Sequence, residues 1–279
     1  MPEKTIVACI QTTSGPDIDA NIRVIDGLLR EGVAGGATYL SMPENAYFMR
    51  DLGDQSPKSY CMETHPGLAH AKQFAQEHKV WILIGSIFVT IPNRKRWANR
   101  SVLVNPKGEV ACFYDKIHLF DADFGDGESY RESDTFHSGQ QAKIAATPMG
   151  EMGMAICYDI RFARLFRDMA KAGATVFSTP AAFAKRTGMA HWHVILRARA
   201  IENGCYVIAP AQAGLHASGR VTYGHSLIID PWGEVLAEGH ESEPCVITAT
   251  VDPQRIASVR KQMPVLTHDR DYVMSDYVI

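Results

Sequence analysis

The sequence predicts an α/β fold, built as a four-layer α-β-β-α sandwich. Three observations carry that expectation. Apolar strand-like runs alternate with amphipathic stretches. One hairpin design occurs twice, far apart in the chain. Each copy closes a run of alternating strands and helices, so the chain reads as two related halves.

The first half opens with a buried strand, Thr5 to Ile10. Ile22, Ile25, Leu28, Leu29 and Val33 then recur at helical spacing, and Gly35-Gly36 ends that helix. Tyr39 to Met42 is the next strand, stopped by Pro43. Leu68, Ala71, Phe74 and Ala75 mark a second helix, and Trp81 to Val89 a long strand. Ser101-Val-Leu-Val-Asn105-Pro-Lys-Gly108-Glu-Val-Ala111 reads as a hairpin with a Pro-Lys-Gly turn. Ser226-Leu-Ile-Ile-Asp230-Pro-Trp-Gly233-Glu-Val-Leu236 repeats it. Between the two lie a strand at 152–156, a helix at 161–172, a strand at 175–178, a helix at 189–202 and a strand at 206–209. No linker or low-complexity tract interrupts them, so one domain over 1–279 is expected.

Composition narrows the function. Of the 279 residues, 46% are hydrophobic and 21% charged, the balance of a soluble globular chain. A net charge of −3 leaves no basic footprint for nucleic acid and no polybasic membrane patch. No apolar run spans a bilayer and no signal-peptide layout opens the chain, so a cytoplasmic protein is expected. The six cysteines need not be disulfides in a chain this rich in core. Cys9, Cys112, Cys205 and Cys245 read as small buried hydrophobes within or beside strands.

Three reactive side chains fall where strands stop: Glu44 after Ser41-Met42-Pro43, Lys116 after 110–114, and Cys157 after 152–156. Ligands of open α/β sheets bind outside the carboxyl ends of strands, so the three could share a pocket. A carboxylate can take the proton of a thiol as it attacks an amide carbonyl. An ammonium and a backbone N–H can stabilise the resulting oxyanion. Tyr158, at an expected helix N-terminus, supplies that N–H, aided by the helix dipole. Each residue also has a plain structural reading. Glu44 could be a loop carboxylate, Lys116 a solvated loop lysine and Cys157 a buried small hydrophobe. Spacing alone does not separate these readings.

The joint pattern resembles the nitrilase (carbon–nitrogen hydrolase) superfamily, in its Nit-type amidase branch. The resemblance runs through Met42-Pro-Glu-Asn45, Asp115-Lys-Ile-His-Leu-Phe-Asp121, Arg131-Glu-Ser133 and Cys157-Tyr-Asp-Ile-Arg-Phe162. It continues in Ala190-His-Trp192, Arg197-Ala-Arg-Ala-Ile-Glu202, Tyr223-Gly-His-Ser226 and Asp230-Pro-Trp-Gly-Glu234. It implies the same sandwich, a Glu–Lys–Cys triad on Glu44, Lys116 and Cys157, and a homodimer or larger assembly. A second glutamate of the family supports the lysine. It maps to Glu132, whose Asp134-Thr135 sequel fits better than the surroundings of Glu128. The implied substrate is a small carboxamide that carries a carboxylate: deaminated glutathione, or the ω-amide of a dicarboxylic acid. Tyr158, Arg161, Phe183 and Thr187 are the candidate substrate contacts. Arg161 would grip the carboxylate bidentately, or else pair with Asp159. Phe183 would be an apolar wall, or else core. Thr187, in a loop before Ala190, would donate a hydroxyl. The chain departs from the branch at Ala163-Arg164-Leu165 and in the tail around Asp269, which touches expectations for the pocket edge and subunit contacts.

Other classes fit less well. His191-Trp-His193 invites a metal, but helix ligands must lie three or four apart to share a face. No His-Glu-x-x-His motif is present, Asp121-Ala-Asp123 alone is weak, and no metal is expected. There is no Cys-x-x-Cys pair for redox work and no glycine-rich phosphate loop, so no cofactor is expected. A nitrilase or an N-carbamoyl amidohydrolase would use the same Glu-Lys-Cys site. A catalytically dead binding module would not need Glu44, Lys116, Glu132 and Cys157 together.

Overall fold

The computed structural model describes residues 2–50, 60–125, 127 and 129–275. The first half comprises β1 (Thr5–Gln11), α1 (Ile18–Ala34), β2 (Tyr39–Ser41), α2 (Pro66–His78), β3 (Trp81–Val89), β4 (Ala98–Val104) and β5 (Val110–Asp115). A small hairpin, β6 (Asp121–Asp123) and β7 (Ser129–Arg131), comes next. The second half comprises β8 (Lys143–Thr147), β9 (Gly150–Met154), α3 (Ala163–Lys171), β10 (Val176–Ser178), α4 (Lys185–Asn203) and β11 (Tyr206–Ala209). It continues with the hairpin β12 (Ala213–Leu215) and β13 (Val221–Tyr223), then β14 (Leu227–Ile229) and β15 (Val235–Glu238). β16 (Cys245–Val251), α5 (Pro253–Gln262) and α6 (Val265–His268) end the described chain.

Two six-stranded sheets form the centre, ordered β16-β1-β2-β3-β4-β5 and β15-β14-β11-β10-β9-β8. From β16 the first sheet pairs antiparallel, parallel, parallel, antiparallel, antiparallel. From β8 the second repeats that order. The twin hairpins agree atom for atom. Asn105 and Asp230 each accept, through Oδ1, the N–H groups two and four residues on. Gly108 and Gly233 occupy the left-handed position of the turn, with φ of 76° and 87°. The duplication read from the sequence is therefore built into both sheets.

Alternation along the strands sets the layers. Val7 and Cys9 point into the cluster that joins the sheets, with Tyr39 and Leu83 opposite Met152, Met154 and Phe177. Ala8 and Ile10 point the other way, into a second cluster with Ile25, Leu29 and Phe74 of α1 and α2. Helices α3 and α4 pack on the second sheet. Both faces of β1 are buried, which is why it reads as a continuous apolar run. The expected α-β-β-α sandwich is observed.

Some expectations need correction. The stretch from Cys157 to Arg161 is a 3-10 turn, and the α-helix starts only at Ala163. Helix α4 starts at Lys185, ahead of the expected Met189, so Thr187 sits in its first turn rather than in a loop. The opening Lys185-Arg186-Thr187-Gly188 carries no apolar period and hid that start. Cys9 and Cys205 are buried as expected, whereas Cys112 and Cys245 are only half-buried on outer strands. The strand-like run at Cys245 is β16, which closes the first sheet by pairing with the whole of β1, a role the sequence did not disclose.

One glycine sets the path of the chain into Glu44. Gly85 lies where the β3–β4 register shifts, and a Cβ there would meet Met42 O at 2.1 Å and Pro43 O at 2.3 Å. Only a bare backbone lets the segment leading to Glu44 lie this close to β3.

Candidate active site

Glu44, Lys116 and Cys157 all leave their sheets at strand ends and meet. Glu44 and Lys116 are 3% and 2% exposed. The Lys116 ammonium donates to Glu44 Oε1 at 3.0 Å and to Glu132 at 2.9 and 2.8 Å. The Cys157 thiol faces Glu44, and each shifts the other's proton affinity. Glu44 Oε2 accepts from the N–H of Ala182 at 2.9 Å. Asn99 Nδ2 bridges the two carboxylates, at 2.9 Å from Glu44 and 3.2 Å from Glu132. Glu132 also accepts from Phe120 N–H at 2.6 Å. Glu128, the competitor for the supporting role, lies outside the described residues.

Electrostatics follow from the packing. Burial alone would raise the carboxyl of Glu44. The neighbouring Lys116 charge, with bonds from Lys116, the Cys157 thiol and Ala182, outweighs it and holds that carboxyl below its usual range. Burial would lower Lys116, but Glu132 and Glu44 reverse this and keep it an ammonium. Burial and the Glu44 charge push the Cys157 thiol up, against the pull of Lys116. The resting site is therefore carboxylate, ammonium and neutral thiol.

Cys157 has φ of +47°, a left-handed backbone that a non-glycine residue adopts at a cost on the order of 1–3 kcal/mol. Its surroundings hold it there. The N–H of Cys157 donates to Pro180 O at 2.9 Å. Asp159, fully buried, accepts from Ile156 N–H at 2.8 Å and from the Tyr114 hydroxyl at 2.7 Å. It also accepts from His118 N–H at 3.0 Å and lies 2.7 Å from His118 Nδ1. One carboxylate thus ties the turn of Cys157 to the loop that carries Lys116.

These groups open into a cavity of about 1410 Å³, ample for a substrate longer than a simple amide. Tyr158, Arg161, Phe183 and Thr187 all line it. Cations outnumber acids in the described lining, with Arg96, Arg131, Arg186 and Arg220 besides Arg161. Arg161 does not pair with Asp159, whose oxygens are taken from inside. Its guanidinium lies 5.2 Å from the centre of the Phe183 ring and 5.7 Å from that of Tyr158, and reaches His191 Nδ1 at 3.2 Å. Phe183 is both wall and core, tilted on Trp192 at 5.1 Å. Thr187 differs from expectation: in the first turn of α4 its hydroxyl reaches back to Ala184 O at 3.3 Å. Ala163 and Arg164 do not belong to the described lining. Asp269 pairs with Lys171 and Arg167 of α3, at 2.9 and 3.7 Å.

Asn99, Asp159, Ala182 and Gln212 were missed as site residues. Gln212 is fully buried and donates to Glu44 O at 3.0 Å. For Asn99 the available signal was a polar residue inside an apolar, strand-like stretch.

A model of one family, carbon-nitrogen hydrolase, matches residues 6–261. The chain belongs to the carbon–nitrogen hydrolase family. It is 40% identical over 271 residues to the deaminated glutathione amidase of Synechocystis sp., covering 94% of this chain and 97% of that one. It is 36% identical over 274 residues to the deaminated glutathione amidase of Homo sapiens, at 96% and 83% coverage. Its fold superimposes on the C. elegans NitFhit protein with a TM-score of 0.89 at 30% identity, covering 97% of this chain and 66% of that longer one. Saccharomyces cerevisiae Nit3, of branch 10 of the nitrilase superfamily, gives 0.82 at 28% identity, with 94% and 95% covered. The resemblance read from the motifs is borne out, and with it a carbon–nitrogen hydrolase of amidase kind.

The depressed carboxyl of Glu44 yields a prediction. A carboxyl lowered on folding stabilises the fold above its unfolded value, 4.5 for this group, and that contribution fades as pH falls through the folded value. Wild type should melt above Glu44→Gln near neutrality, and the gap should shrink as pH drops below 4.5. Thermal melts of both proteins across that range check it. A gap independent of pH would mean that Glu44 is not ionised in the fold.

Proposed function

We propose that this hydrolase cleaves the carboxamide of a small carboxylate-bearing substrate through a thioester on Cys157. The observation that carries the reading is the Glu44 carboxylate, fixed by Lys116, Asn99 and Ala182 beside the Cys157 thiol. As sulfur attacks the amide carbon, its proton passes to Glu44. Lys116 and the Tyr158 N–H hold the oxyanion. Tyr158 lies near the start of the 3-10 turn, where helical segments leave donors unused. Glu44 returns the proton to the departing nitrogen, and ammonia or an amine leaves. Water activated by Glu44 then hydrolyses the thioester. Glu132 anchors Lys116, and Arg161 orients the substrate carboxylate. Deaminated glutathione is the favoured substrate, since relatives matching nearly the whole chain carry that name. The cation-rich cavity supports an acid at either end of it.

The chain is read as one catalytic domain acting in the cytoplasm. Among the described residues no helix is long and apolar enough to cross a membrane. A homodimer is part of the proposal: Val194 and Ile201, two turns apart on one face of α4, are 69% and 48% exposed, apolar surface that a second copy would cover. Light scattering at micromolar concentration should give twice the chain mass, and a monomer would remove this point.

Two experiments test the chemistry. Cys157→Ala should lose amide hydrolysis with its fold intact, and acid quenching of wild type with substrate should trap an acyl group on Cys157. Near-normal turnover by Cys157→Ala would sink the mechanism. For the substrate, a monoamide with a free carboxylate should react much faster than its methyl ester, and Arg161→Met should erase the difference. Equal rates on acid and ester in wild type would favour a neutral amide or nitrile.

A further inference from the structure

His191 and His193 stand two apart on a helix and so face different ways, which rules them out as a ligand pair. The fold gives His193 other company. His193 Nε2, on α4, lies 3.0 Å from Glu238 Oε1 at the end of β15. His225 Nδ1, just before β14, lies 2.7 Å from the same oxygen. The three ligand atoms all fall within 4.8 Å of one another. None belongs to the described lining of the active-site cavity.

We propose that His193, His225 and Glu238 form a binding site for a divalent transition-metal ion of the zinc class. Two imidazole nitrogens and one carboxylate oxygen are the donors such an ion takes, with a fourth position left to water. The side chains are 31%, 22% and 41% exposed, so an ion can reach them from solvent.

The site is braced before any ion arrives. The N–H of His225 donates to His240 O at 3.0 Å, and its carbonyl accepts from Trp192 Nε1 at 2.8 Å, the residue next to His193. The helix and the strand end are thus already joined beside the ligands. The Glu238 carboxyl lies below its usual range: burial opposes this, but the bonds from His193 and His225 prevail, so it carries its charge at neutral pH. Binding moves the N–H of each imidazole to the far ring nitrogen and frees the near lone pair for the ion.

The consequence is mechanical. Helix α4 begins with Lys185, Arg186 and Thr187, which line the cavity. A metal on His193 would clamp that helix to the β14–β15 hairpin and hold the cavity wall.

The test uses the full chain carrying Cys157→Ala, which removes the active-site thiol as a competing ligand. After chelator treatment, Zn²⁺ is titrated by calorimetry. The site should bind one equivalent with a Kd below about 10 µM. His193→Ala, Glu238→Gln and His225→Asn, the last keeping a residue that tolerates positive φ, should each weaken binding by at least about tenfold. Co²⁺ should give visible absorption bands of low coordination number that vanish in His193→Ala. Melting curves without metal check that every variant folds. Two results overturn the proposal: no binding at that concentration, which leaves a plain His–Glu–His hydrogen-bond cluster, or undiminished binding by the variants, which puts an adventitious ion elsewhere.

Discussion

A lysine ammonium buried between two carboxylates organises this protein. Taking each ion out of water costs several kcal/mol, and only close, well-directed partners offset it. Lys116 therefore fixes Glu44 and Glu132 as firmly as they fix it. Asn99 adds a neutral donor to both acids, so the cluster depends on four side chains from separate segments. Removing Lys116 would leave the buried Glu44 charge without its ammonium, a loss of about 3–5 kcal/mol. The geometry at the thiol follows from that constraint, because Glu44 cannot drift from Cys157 without abandoning Lys116.

A second constraint acts through the backbone. Cys157 sits in a strained left-handed conformation that projects its thiol from the end of β9. The strain persists because Asp159 and Pro180 hold both sides of the turn. Asp159 also grips the loop two residues beyond Lys116. The nucleophile and the cation are thus positioned by one buried carboxylate that touches neither. Gly85 does similar service for Glu44 by letting two backbones approach.

Much of this was legible in the chain, for identifiable reasons. Buried strands announce themselves as apolar runs, and the paired Asn105 and Asp230 turns announce the duplication. Glu44, Lys116 and Cys157 were expected to meet because reactive groups at strand ends are few and their motifs match a family, and the structure brings them together. The supports were harder to see. Asn99 and Asp159 act through contacts 33 to 55 residues away in sequence, and no local period encodes those. The start of α4 was hidden by a polar first turn, and Thr187 was misplaced with it. Arg161 shows the limit from the other side: its residue type admitted two partners, and only the inward orientation of Asp159 removed one of them.

The protonation state of the site bears on how such an enzyme works. A thiolate–cation pair stores its nucleophile ready-made. Here the thiol is pushed up by burial and by Glu44, while Glu44 is held ionised. In the proposed mechanism proton transfer accompanies the attack of sulfur, and Glu44 then hands the same proton to the departing nitrogen. In that mechanism only a carbonyl that reaches Lys116 and the Tyr158 N–H can draw charge onto its oxygen and so make the transfer to Glu44 favourable. On that reading the cation that makes burial of two acids tolerable is also the one that admits the substrate to reaction.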